Sequence, residues 1–441
     1  MQGARNSTSV SMREVVANHL LLLAAALLIF AAPVALADTH WAPPPGGAND
    51  TQALQRALDR CVPGGHDCKV QLRAGTYRTK QLLVSGFHGS VRGAGMEATV
   101  IEALAPLDVS QVNGEATLSN AGGFRASPPS ATNPYPFVLT FVGDSDFSIS
   151  DLTLSIPGSP ATNGWYESQD YWADWMNGIY VEGDGRVERV SFDASADPGV
   201  SNFNNAFMLA SGKVFEMKSS RVRASCANGF IADCTVGTRI TVDGNSFERG
   251  SAGGVFWNTD GLRVRYTHNR VTGGDCGIGL FIVQLPGEMS QPRAPSTFWI
   301  GENQLAVNAE GGTAVYVDDR WVDPVWGGVK TVDAYVVDNT VQVTGGFGGG
   351  LWLRWLKDAL VEGNRISGDG CAGIYLGRTA TSAVIGNDLR GFSASLDCEF
   401  PTLSLASILL HQWSHDCFVG WNRTPNGVVD LGTHNKVIGN R

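Results

Sequence analysis

The sequence predicts an all-β fold, a parallel β-solenoid, on three observations. A short pattern of Gly-apolar-x-apolar, a polar link and then apolar-x-x-Asn-x-apolar returns from about residue 226 to the end, carrying Asn245, Asn269, Asn303, Asn339, Asn364, Asn387, Asn422 and Asn440. The strands GVFW (254–257), GIGL (277–280), AVYV (314–317), GLWL (350–353), GIYL (373–376) and SILL (407–410) precede these asparagines, by about 13 to 15 residues in the short repeats and roughly 25 in the two with insertions. Charged residues make up only 17% of the 441 positions, against 54 glycines, a balance that suits many turns better than helices. A self-similar unit of this length without helical periodicity cannot bury its apolar face alone, so its copies must stack.

The repeat resembles the right-handed parallel β-helix proteins of the pectate-lyase-like type, the pectin lyase fold, over roughly residues 48–441. That resemblance implies three strands per coil and a ladder of asparagines at the tight turn between the second and third. Asn suits such a turn because it tolerates left-handed backbone and can hydrogen-bond to its copies above and below. The expectation is a single-domain right-handed parallel β-helix over residues 38–441.

The N-terminus reads as an export signal over residues 1–37. Leu20 to Leu36 is apolar, follows Arg13, is interrupted by Pro33 and closes on Ala35-Leu36-Ala37. The mature chain then begins at Asp38, secreted or periplasmic, without a membrane segment. Its charge becomes −11, 30 basic against 41 acidic residues, compared with −10 for the whole chain. An acidic chain without basic tracts argues against a nucleic-acid partner, and an anionic substrate would need a local positive site or a bridging metal ion. Eight cysteines in an exported chain point to oxidised pairs. Cys61 and Cys68 bracket a Pro-Gly-Gly turn and are the best-placed pair; Cys226 to Cys276 is one further option among connectivities left open.

In chain order, Asn49, Asp50 and Thr51 start a helix with apolar spacing at Ala53, Leu54, Ala57 and Leu58, which in the resembling family covers the solenoid's open end. Entry strands follow through Ile101, then a loop over 104–135, strands at 137–141 and 147–154, and an aromatic insertion with Trp165, Tyr166, Tyr171, Trp172 and Trp175. This insertion is either a sugar platform or a loop buried by its own rings. The sequence closes on a ladder turn, which leaves either the loops around Cys398 and Cys417 or a second subunit to cover that end.

Alternate residues of a strand face opposite sides. If the first apolar residue of each repeat points inward, the second positions form an outward stripe that includes Phe256, Gly279, Tyr316, Trp352 and Tyr375. The fourth positions form another with Asn258, Phe281, Asp318, Arg354, Gly377 and His411. The extra residues of the two long repeats, 284–296 and 321–330, fall just after adjacent strands and make a wall beside these stripes, as insertions at a binding face do. The predicted cleft is floored by Tyr316, Asp318, Trp352, Arg354, Tyr375 and His411, with Asp319, Arg320, Trp321, Trp326 and Arg378 at its rim.

A polysaccharide substrate fits such a cleft, and β-elimination on an acidic polymer is the favoured reaction. Arg354, with Arg378, would neutralise a carboxylate, His411 or Arg354 would take the C5 proton, and Tyr375 would protonate the leaving oxygen. Tyr316, Trp352, Arg378, Asp319 and Trp321 would hold the chain. The calcium-dependent relatives imply a metal role for Asp318 and Asp319. Hydrolysis is the alternative: Asn258-Thr259-Asp260-Gly261 matches the NTDG element of the polygalacturonase-type hydrolases, although the adjacent Asp pair, Gly-His-Gly and Arg-Ile-Lys elements are missing, and Asp260 would have to work with Asp318. A third reading is a non-catalytic carbohydrate-binding or structural solenoid.

Overall fold

The computed structural model describes residues 39–61, 68–80, 82–104, 137–156, 177–194, 205–223, 228–233, 235–248, 252–273, 278–286, 292–308, 312–322, 328–345, 349–394 and 405–441. The proposed export signal, the aromatic insertion, Trp326, Cys226, Cys234, Cys276 and Cys398 lie outside them. No described helix is long and apolar enough to cross a membrane.

The described chain has 33 strands and one α-helix. All the strand pairings are parallel, and they separate into three stacks, each strand bonding to its equivalents in the coils before and after. In a central coil, Thr313–Asp319 belongs to the first sheet, Val332–Val337 to the second and Thr340–Val343 to the third. Phe137–Ser155 and Asn177–Asp193 run through all three faces in one continuous strand.

Coils stack because their interiors match. Val315, Leu351, Ile374 and Ile408 are register partners in successive coils, as are Val317, Leu353, Leu376 and Leu410, and all eight are fully buried. Each such side chain contributes about 1.5–3 kcal/mol of burial. The helix, Thr51–Asp59, buries Leu54, Ala57 and Leu58 over the first coil. Gln55 fixes it there, its amide donating to the Leu83 carbonyl and its side-chain oxygen accepting from the Leu83 N–H. Asp50, the residue before the helix, makes no side-chain cap but accepts from the Arg78 N–H. Cys61 and Cys68 are disulfide-bonded, and Cys417 is a buried free thiol.

The ladder runs through all eight predicted asparagines. From Asn245 to Asn422 each donates its backbone N–H and its side-chain amide to the Oδ1 of the next, and gives a second amide proton to a backbone carbonyl; at Asn303 these bonds are 3.0, 2.9 and 3.0 Å. The left-handed residue is the one before each Asn: Gly244, His268, Glu302, Asp338, Gly363, Gly386, Trp421 and Gly439 all have positive φ. The Asn is therefore selected for its hydrogen bonds, and its predecessor makes the turn.

Candidate functional site

The outward stripe of the first sheet follows register, and register corrects part of the predicted assignment. Phe256 is buried and pairs with Ile282, so Val255 and Trp257 face outward. Phe281 pairs with Tyr316, while Val283 is the partner of Asp318. One aromatic row thus runs Phe281, Tyr316, Trp352, Tyr375, and the second row runs Val283, Asp318, Arg354, Gly377. In GVFW every residue is apolar, so no alternation marks the inward face, and a slip of one residue reverses all of them.

The aromatic row is a stack of rings. Phe281 and Tyr316 lie 5.1 Å apart at 11°, Trp257 and Phe281 5.7 Å apart at 20°, and Trp352 and Tyr375 4.9 Å apart at 38°. Glycines let the rings lie flat on the sheet. A Cβ on Gly349 would fall 1.8 Å from the Trp352 Nε1, and one on Gly377 would fall 2.8 Å from the Tyr375 Oη. The Tyr375 hydroxyl therefore hangs over Gly377, the rung between Arg354 and His411.

Asp318 lies beneath this surface, its side chain wholly buried. Its Oδ2 accepts from the Tyr316 hydroxyl at 3.0 Å and from the Arg320 Nε at 3.1 Å, with the Arg354 Nη1 at 3.7 Å; Arg354 donates to the Tyr316 oxygen at 2.9 Å. Burial raises the Tyr316 and Tyr375 hydroxyls above the ordinary phenol range, so both stay protonated. Burial also works against the charge of Arg354, but Tyr316 and Asp318 outweigh it and hold the guanidinium more firmly cationic. His411 is pushed below the usual imidazole range by burial and by the neighbouring Arg378 and Arg354, which leaves it neutral at pH 7. The Arg378 guanidinium lies 4.2 Å from the ring of Trp355 and 5.5 Å from that of Trp413. Neither tryptophan stands out in the sequence, because only stacking brings both turns beside Arg378.

Buried polar groups are as a rule hydrogen-bonded. Asp318 Oδ1, Trp352 Nε1 and His411 Nδ1 on this face, and Trp321 Nε1 in the turn after Asp319, are buried and have no hydrogen-bond partner among the described residues.

Other predicted residues are spent on architecture. Asp319 is fully buried and accepts from the Thr331 N–H, the Thr331 hydroxyl and the Val332 N–H at 2.8, 2.5 and 3.0 Å, closing the insertion that follows it. Burial lifts its carboxyl to about 6 against those hydrogen bonds. Asp260 accepts from the Arg293 and Ala294 N–H groups, and Asn258, in left-handed backbone, accepts from the Leu285 N–H. The NTDG stretch thus pins both ends of the other insertion. The donors proposed for calcium do not fit it as placed, since Asp319 is fully engaged and Asp318 faces guanidiniums. No cluster of three or more His, Cys, Asp or Glu suited to a metal occurs among the described residues.

No protein-family model matches the sequence, and no curated protein matches it. Solved structures match along nearly the whole chain. DFA-IIIase from Arthrobacter chlorophenolicus, in complex with GF2, is 13% identical with a TM-score of 0.54, over 90% of this chain and 97% of that one. A variant of the same enzyme gives 13%, 0.55, 91% and 98%. A mannuronan C-5 epimerase A-module from Azotobacter vinelandii gives 16%, 0.50, 90% and 96%. The chain is a right-handed parallel β-helix protein. Identities this low establish the fold alone.

Proposed function

We propose that the protein is an enzyme acting on an acidic polysaccharide, by β-elimination, in the cleft of Arg354, Tyr375 and His411. The observation that carries this reading is the row itself: a firmly cationic Arg354, a protonated Tyr375 hydroxyl over Gly377 and a neutral His411 on neighbouring rungs. Arg320 and Arg354 face the buried Asp318, and Arg378 acts on Tyr375 and His411, so the site is locally positive in a chain of charge −10. That meets the need of an anionic substrate without a bridging metal ion.

Arg354 would pair with the uronate carboxylate and make the C5 proton more acidic. His411 would take that proton, and Tyr375 would give its own to the departing glycosidic oxygen as the C4–O bond breaks and the C4–C5 double bond forms. Asp318 and Tyr316 would hold Arg354 in place. Returning the proton to the opposite face of C5, without loss of the leaving group, would instead give epimerisation; a mannuronan C-5 epimerase shares this fold. Hydrolysis through Asp260 and Asp318 has less support, because both carboxylates are buried and engaged by other groups.

The test is ultraviolet absorbance of unsaturated product, with reducing-end release and uronate stereochemistry read in parallel, on alginate, polygalacturonate and neutral glucans, with and without chelator. Absorbance that rises on an acidic polymer and survives chelation is expected. Arg354→Ala should lower turnover at least about 100-fold with its circular dichroism unchanged. Full activity in that variant rules out this site.

A further inference from the structure

We infer that the second sheet carries an accessory binding site for an anionic polysaccharide, built from Arg239, Arg263, Arg265, Trp299 and Tyr335. These residues lie on a sheet other than the one holding the candidate catalytic row, and the inference does not depend on the reaction proposed there. Arg239 and Arg263 are direct register partners in adjacent coils. Arg265, two residues along the same face, is the partner of Trp299, which in turn is the partner of Tyr335. With coils about 4.8 Å apart, the four strands place these groups along a track of about 14 Å.

Two features of the track are unfavourable unless something covers it. Like charges directly opposite in a sheet repel. Several arginines elsewhere on this solenoid meet a carboxylate from a neighbouring coil, as in Arg78–Glu102, Arg92–Asp151 and Arg186–Glu216. The guanidiniums of Arg239, Arg263 and Arg265 make no ion pair or side-chain hydrogen bond among the described residues. The nearby carboxylates are bonded to other groups: Asp243 accepts from Thr267 and His268 and feels Arg265 only as a charge through space, and Asp333 pairs with Lys330. Beside these cations Trp299 is 43% exposed and stacks on Tyr335 at 5.9 Å.

Two cations one coil apart, a third two residues along the same strand and an exposed ring stacked on a second one match a polymer that alternates carboxylates with apolar sugar faces. With only three cations on a chain of charge −10, the track is poorly matched to the charge density of nucleic acid. Such a site would keep a long substrate on the enzyme between encounters with the cleft.

Affinity electrophoresis of the full chain, in gels containing alginate, polygalacturonate or neutral dextran and referenced to polymer-free gels, tests this. In an Arg354→Ala background, which disables the cleft, retardation should persist in at least one acidic polymer and not in dextran. Adding Arg239→Ser with Arg263→Ser should weaken it at least about tenfold, and adding Trp299→Ala alone should weaken it measurably, with circular dichroism unchanged in both. With Arg354 intact, the double arginine variant should turn over short oligosaccharides at the normal rate. Retardation unaffected by the double variant, absent in both acidic gels, or replaced by binding to DNA or to phosphatidylserine vesicles overturns the inference.

Discussion

At the scale of the residue, burial and hydrogen bonding decide what each polar side chain does. Asn303 supplies the acceptor for two donors of Asn269 while using its own N–H groups on Asn339 and the Tyr266 carbonyl. Asn303→Ala leaves buried donors without a partner and should cost about 3 kcal/mol, read from the urea midpoint. Asp319 carries a pH signature. Burial raises its folded value to about 6 from the ordinary 3.8, so the folded state holds the proton more tightly. The stability this contributes is complete below 3.8 and is lost as pH rises through about 6. Asp319→Asn should remove that decline, so the difference in urea midpoint between wild type and variant changes across this window and is flat above it. His268, raised by its bond to Asp243, has the same sign at higher pH, its contribution fading as pH passes its raised value; being half exposed, it is screened and small.

At the scale of the element, the insertions were visible as extra residues, but the means of holding them was not. Asp260 and Asn258 anchor one, and Asp319 the other, from turn positions at the ends of first-sheet strands. Asp260→Ala should loosen the chain at 292–295, costing about 2 kcal/mol in unfolding and raising amide exchange at Arg293 and Ala294, while turnover of short substrates stays within about threefold. A loss of 1,000-fold or more with the segment intact would return Asp260 to the chemistry. Strand positions and the Asn turns were legible because their spacing repeats. The outward face of GVFW was not, because four consecutive apolar residues carry no period.

At the scale of the molecule, stability is a sum over stacked coils, so position along the axis sets the cost of a change. Ile300 is fully buried in a central coil, whereas Val437, in the last strand, is 39% exposed. Ile300→Ala should cost about 3–4 kcal/mol and Val437→Ala less than about 1, measured by equilibrium unfolding. Equal costs would contradict a core that runs continuously through the stack.

The repeat by itself determined the solenoid, the ladder and the sheet that gathers Tyr316, Asp318, Trp352, Arg354 and Tyr375, because a period in sequence becomes a row in space once coils stack. The tertiary structure alone decided which of three similar aspartates meets the arginines of the outward row and which holds a loop. Asp318 meets Arg354 from a strand 36 residues away, Asp319 turns to Thr331, and Asp260 to Arg293. Those partners depend on where the chain returns after insertions of unequal length, and the environment of a carboxyl group, set by what each return brings beside it, fixes its charge and its role.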